Sequence, residues 1–273
     1  MRIALGVSYN GQAYNGWQSQ PNGNTVQDKL EAALGRFATQ GVSTLCAGRT
    51  DAGVHGLMQV VHFDTALQRP ETAWVRGTNT FLPPDIAVQW ARAVPDAFHS
   101  RACATARRYA YVLLQSPVRP SVEVGRVGWV FNPLDGEAMR QAASCLIGEH
   151  DFTSFRASAC QALTPVKTLH RIDITRRAVA SAQHREMECC YWRFEFEGNA
   201  FLHHMVRNIV GTLLYVGKGS LDAAGVQALL AARDRSKAPP TFMPDGLYLT
   251  GVGYPAQFGL PSEAQPERLT LWS

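Results

Sequence analysis

In "MECCYWRFEFEG", Cys190, Trp192, Phe194 and Phe196 alternate with Arg193, Glu195 and Glu197. A period of two sends successive side chains to opposite faces, so this stretch can only be a strand with one dry side and one wet side. The same kind of reading predicts strands at "RIALGVSY", at "LMQVVHFDT", at "IAVQWARAV" (Ile86, Val88 and Trp90 alternating), at "ATARRYAYVLLQ" (Arg107, Tyr109, Tyr111 and Leu113 on one face), at "VKTLHRIDITRRAV" and near "GLYLTGVGY". Between them the period changes. Val26, Leu30, Ala33, Leu34 and Phe37 make one helical face in "TVQDKLEAALGRFAT", where Thr25 with Asp28 resembles a capping box. Pro70 opens a helix running to about Phe81, and "LPPD" stops it. Further helices are expected from Leu134 to Ile147, with Met139, Ala142, Ala143, Leu146 and Ile147 as the apolar stripe, and at "HHMVRNIVGTLLYV" and "LDAAGVQALLAAR". Strands interleaved with helices in both halves describe an α+β fold in which helices cover one face of a sheet. The proline- and glycine-bearing "QSPVRPSVEVG" reads as a connector, dividing the chain into halves at 1–116 and 117–273.

A chain of 273 residues can bury a core that needs no covalent staples. The longest apolar stretch, "IVGTLLYVG" from Ile209 to Gly217, is about half the ~20 residues that span a bilayer, so no membrane helix is expected. "MRIALGVSYNG" has no long apolar region and reads as a first strand, not a signal peptide. None of the six cysteines has the two-residue spacing of a metal or redox motif, which makes a reducing cytoplasm the natural compartment. A net charge of +4 suits a polyanionic partner without requiring one.

The stretch "CAGRTDAGVHG" puts chemistry on a tight loop just before an apolar strand. A rigid sheet can hold a loop residue such as Asp51 in fixed orientation. Arg49, two residues away, can pair with that carboxylate and aim it for nucleophilic or proton-transfer work. An aspartate beside glycine also closes turns, and structural ion pairs look the same in sequence, so both readings stay open at this point. In "RRYAY", Tyr109 and Tyr111 alternate with basic neighbours, and Arg101, Arg107 and Arg108 fall in the same segment. Rings that stack on unpaired bases and guanidiniums that meet phosphates would suit RNA; tyrosines half buried in a strand explain the pattern equally well. Arg207 sits beside the stripe of Met205, Val206, Ile209, Val210 and Leu213, where it needs an anionic partner or must reach solvent along its stem. His55 and His62 flank the aspartate loop, and His203 and His204 open a predicted helix. No zinc spacing appears, and adjacent histidines on a helix cannot both face one ion, so no metal is expected.

Taken in order, "YNGQAYNGWQ", "GRTDAGVHG", "NTFLPPDI", "FHSRACATARRYAYVL", "GEHDFTSFR", "EGNAFLHHMVRNIVGTLL" and "KAPPTFMPDGLYL" resemble the TruA-type tRNA pseudouridine synthases along nearly the whole chain. The chain departs from the usual pattern at Asn10, Gln12, Gly56, Ala102 and Cys103. The resemblance implies an enzyme that detaches uracil from its ribose in tRNA, rotates it and rejoins it through C5. It further implies the anticodon arm as substrate, at positions 38 to 40, no metal or organic cofactor, and a homodimer whose two basic clefts share one tRNA. The implied fold is two similar ferredoxin-like α/β halves forming a mixed, largely antiparallel sheet with a central catalytic cleft. Carried over by position, the essential aspartate is Asp51, its arginine partner Arg49, and the active-site tyrosine Tyr109. Arg207 corresponds to the basic residue of the third motif, and Leu247 to a residue lining the uracil pocket. Arg101, Arg107 and Arg108 are expected to contact phosphates.

Overall fold

A computed structural model of the chain describes residues 1–178 and 189–261. Val179, Met187 and Glu188, read above as parts of strands, lie outside the described residues. In chain order the elements are β1 (Arg2–Tyr9), α1 (Val26–Ala38), β2 (Leu45–Cys46), β3 (His55–Asp64), α2 (Glu71–Asn79), β4 (Ile86–Val94), β5 (Ala106–Gln115) and β6 (Gly128–Val130). They continue with α3 (Gly136–Ser144), β7 (Gly148–Asp151), β8 (Val166–Ala178), β9 (Cys190–Gly198), α4 (Met205–Gly217), α5 (Ala223–Ala232) and β10 (Leu247–Gly253). Among the described residues this is an α+β protein with mixed strand pairing. No described helix is long and apolar enough to cross a membrane.

The chain divides into two compact units, Met1–Arg107 with the chain from Tyr248 onward, and Arg108–Leu247. The break therefore falls earlier than a division after residue 116, and the last strand returns to the first unit. The physical reason is pairing: β10 lies parallel to β3, with Tyr248 opposite His55 and Leu249 opposite Gly56.

In the first unit, β1 is flanked by β3 and β4, both antiparallel to it, and β2 pairs antiparallel with β3. The order β4-β1-β3-β2, with α1 and α2 as crossovers, is the split βαβ arrangement. Helix α1 begins where the threonine and aspartate said it would. The Thr25 hydroxyl accepts the Asp28 amide at 3.2 Å, satisfying one donor the helix leaves open. Ile3, Leu5 and Val7 of β1, Leu30 and Leu34 of α1, Phe63 of β3 and Trp74 of α2 share one core. The edge of β3 is divided: β2 pairs with its later residues, Val61 and His62, and β10 with its first, His55 and Gly56. The β2–β3 connection leaves the sheet in the interval.

In the second unit β8 and β9 form a long antiparallel pair, β7 adds to β8, and β6 adds parallel to β5. The alternation in β9 holds as read, with Cys190, Trp192, Phe194 and Phe196 buried and their neighbours partly exposed. Helix α4 is buried on most sides, unlike α1, and α3 packs against it.

Candidate active site

Asp51 lies half-buried on the loop between β2 and β3. The Val54 amide donates to the Asp51 carbonyl at 3.1 Å, closing a turn in which Gly53 stands at φ +79°. A type II turn needs that left-handed conformation at its third position. The segment from Tyr9 to Trp17 then fastens the loop at four points. The Tyr9 hydroxyl is 2.8 Å from Thr50 Oγ1, and the Trp17 amide donates to the Thr50 carbonyl at 3.0 Å. The Gly53 amide donates to the Tyr14 carbonyl at 3.4 Å, and the Gly11 amide to His55 Nδ1 at 3.1 Å. Gly16, at φ +89°, lets the two segments touch, since a Cβ there would stand 2.7 Å from the Thr50 oxygen. The His55 ring is stacked on Tyr248 with centroids 4.6 Å apart. At the stem of the loop the Ala47 amide donates to Val60 at 2.8 Å, and the Gln59 amide group bridges Gly48. "YNGQAYNGWQ" and "GRTDAGVHG" are thus two parts of one device that sets the direction of Asp51.

Arg49 is exposed, and buried Thr50 lies between it and Asp51. Its charge acts with that of Arg101 on Cys46. Burial nevertheless pushes the Cys46 thiol up to about 11, so this sulfur is no nucleophile at neutral pH. Arg101 is exposed. Arg107 is not: its guanidinium donates to the carbonyls of Ala104 (3.1 Å), Arg101 (2.9 Å) and Ala47 (3.2 Å), joining the 101–104 turn to the stem of the aspartate loop.

The second unit carries the other residues singled out above. Tyr109 is buried on β5, with its ring edge-on to Phe201 at 5.1 Å. Arg108 points the other way and pairs with Glu197 at 3.1 Å. Arg207 on α4 donates through Nε to the Phe242 carbonyl at 2.9 Å, and its own carbonyl accepts the Phe242 amide at 3.3 Å. Leu247 is buried, its amide donating to Pro244 at 2.8 Å. His203 and His204 precede α4 instead of opening it. His204 takes φ +62°, and the two rings come to 4.0 Å between centroids. The objection that adjacent histidines face apart holds for a helix and fails for this turn.

The profile of the tRNA pseudouridine synthase family matches residues 6–101 and 142–255. The chain belongs to this family. It is 72% identical over 265 residues to the tRNA pseudouridine synthase A of Acidovorax ebreus, covering 96% of this chain and 97% of that protein. Against the tRNA pseudouridine synthase A of Delftia acidovorans the identity is 70% over 275 residues, covering 97% and 98%; against that of Variovorax paradoxus it is 62% over 264, covering 97% and 95%. The matched span contains Arg49, Asp51, Arg101, Arg207 and Leu247, while Arg107, Arg108 and Tyr109 fall in the interval it leaves. Within this synthase the residues that reading the sequence missed are Tyr9 and Thr50, which hold the loop, and Phe201, which backs Tyr109; His55 was noticed only as a histidine flanking the loop, not as one of its fastenings. The stretch "YNGQAYNGWQ" was noticed only through the resemblance. What it fastens was not, because most of its bonds run through backbone atoms.

Proposed function

We propose that this tRNA uridine isomerase acts on positions 38, 39 and 40 of the anticodon stem-loop, with Asp51 as its essential carboxylate and no cofactor. The observation that carries the assignment of Asp51 is the loop itself: an aspartate on a hairpin connection, aimed by bonds from a second segment, is pre-organised in the way a reacting group must be. A stacked uridine is out of reach, so the nucleotide leaves the helix at a cost of a few kcal/mol, and the Tyr109 ring holds the extruded base. Asp51 then adds to C6 of the base or to C1′ of the sugar, or removes the C2′ proton to give a glycal; each route breaks the glycosidic bond using one carboxylate. After the uracil turns, C5 bonds to C1′ and loses its proton, for which the Tyr109 hydroxyl or a water it orients is the base. No group enters or leaves and nothing is oxidised.

Leu247 lines the uracil pocket, and Arg207 places the base through its hold on the segment at Phe242. The exposed Arg101 and Arg49 meet phosphates, whereas Arg107 and Arg108, engaged with carbonyls and with Glu197, brace the surfaces that do. The enzyme works as a homodimer in the cytoplasm.

Tritium release from tRNA labelled at C5 of uridine tests this, because C5 must shed its hydrogen as the new bond forms. Wild type is expected to release label, and Asp51→Asn to fall by at least about 10³-fold while still binding tRNA. Equal release by both proteins would overturn the role of Asp51. Release from sites outside 38–40 would overturn the positional assignment.

A further inference from the structure

Three arginines on the helical side of the first unit have no carboxylate partner among the described residues: Arg36 on α1, Arg69 just before α2, and Arg76 on α2. Two of them are held by rings. The Arg36 guanidinium carbon lies 4.5 Å from the Phe81 centroid, and that of Arg69 lies 4.4 Å from Phe37. Phe37 is the hub. It follows Arg36 in the chain, lies under Arg69, and abuts Gly77, the neighbour of Arg76. The acids of these helices are committed elsewhere. Asp28 serves Ser19 and Thr25, Glu31 takes the Thr44 amide and hydroxyl, and Glu71 holds Arg92 and the Ala93 amide. A guanidinium lying on a ring keeps its charge and gives up few of its donors, so its edge still faces outward for an anion.

We propose that this patch is a second RNA-contact surface, which takes sugar-phosphate backbone of the tRNA outside the target loop. The proposal rests on the tRNA reading above and extends it to where the rest of the substrate lies. Three like charges whose interspersed acid, Glu71, is spent on Arg92 match a polyanion, and among the described residues no exposed large apolar side chain lies on α1 or α2, so the face lacks the apolar centre of a protein interface. Reach supports the same occupant. The first turn of α1 touches the Asp51 side of the unit, where the Val26 and Gln27 amides donate to Gly16 and Trp17. Arg36 stands ten residues further on, about 15 Å along the helix. An RNA that engages both must extend well past the extruded nucleotide.

The test compares a whole tRNA transcript with its isolated anticodon stem-loop, using wild type, the variant Arg36→Gln/Arg69→Gln/Arg76→Gln, and Arg76→Glu, which leaves both ring contacts in place and so preserves the fold. The expected result for the triple variant is an affinity for whole tRNA about tenfold weaker at 0.1 M salt, with the slope of log K against log salt smaller by about 2. Stem-loop affinity and kcat at saturating tRNA stay unchanged. Arg76→Glu weakens whole-tRNA binding in the same sense. Unchanged affinity and slope for whole tRNA overturn the proposal, as does an equal loss on the stem-loop, which would put the arginines at the target site. If wild type makes no pseudouridine yet the salt slope still falls in the variant, the reaction reading fails and the RNA surface stands.

Discussion

Replacing Tyr9 with phenylalanine removes one hydroxyl from the buried contact with Thr50 and leaves the ring in the core. The loss of one such bond costs about 1 kcal/mol of stability. Its larger effect should fall on the reaction, because Thr50 precedes Asp51 and any slack there turns the carboxylate. Tyr9→Phe is expected to lower kcat about tenfold with KM unchanged, measured as pseudouridine formed under saturating tRNA. A change confined to KM would show that the clamp serves binding instead. Gly16→Ala presses on the same joint from the other side. Its φ of +89° and the nearby Thr50 oxygen make a side chain doubly unwelcome, and a loss of more than about 1 kcal/mol is expected in urea denaturation. At this scale the tight, glycine-flanked turn that carries Asp51 was legible. Its fastening was not, since Tyr9 and Thr50 stand far apart in the chain and nothing in their identities announces the pairing.

Helix α1 is the element whose beginning depends most plainly on one side chain. Thr25→Ala strips its cap and is expected to cost about 1 kcal/mol by urea denaturation, with activity at 25 °C unaltered. Elements that run through several periods, such as β1, β9 and α1, could be read because their apolar residues repeat often enough to define a face. Strands β2, β6 and β7 are two to four residues long and have no period to read. The helix expected over 203–216 was begun two residues too early, since a left-handed residue at His204 is a backbone choice that an apolar stripe does not encode. Nor does a strand's composition say which neighbour it joins, which is why the return of β10 to the first unit had to be seen.

The whole first unit should answer to pH through one buried imidazole. His62, 3% exposed, receives the Ser100 amide on Nδ1 at 3.2 Å. Burial above all, then the charges of Arg2 and His99, lower its pKa to about 4, with Asp64 opposing them. An unfolded chain takes up this proton near 6.5 and the folded one only near 4, so the unfolded state binds more protons between those values. Stability is therefore intact at pH 7 and declines as pH falls from about 6.5 towards 4. Urea midpoints at pH 7, 5.5 and 4.5 should drop more steeply for wild type than for His62→Gln; parallel decline would assign the effect to other groups.

The divided edge of β3 has a consequence for the order of events at the ribosome. The first unit emerges first, yet its sheet lacks β10 until the entire second unit has been synthesised. Domains fold as they emerge, amino-terminal parts ahead. Here the part that starts first finishes last: the stacking of Tyr248 on His55 and the pairing of β10 with the root of the Asp51 loop form only once the second unit has been made. A nascent chain arrested short of residue 248 holds the aspartate and all four of its fastenings but has an open strand edge beside them, so the loop takes its finished setting only after the second unit has followed it out.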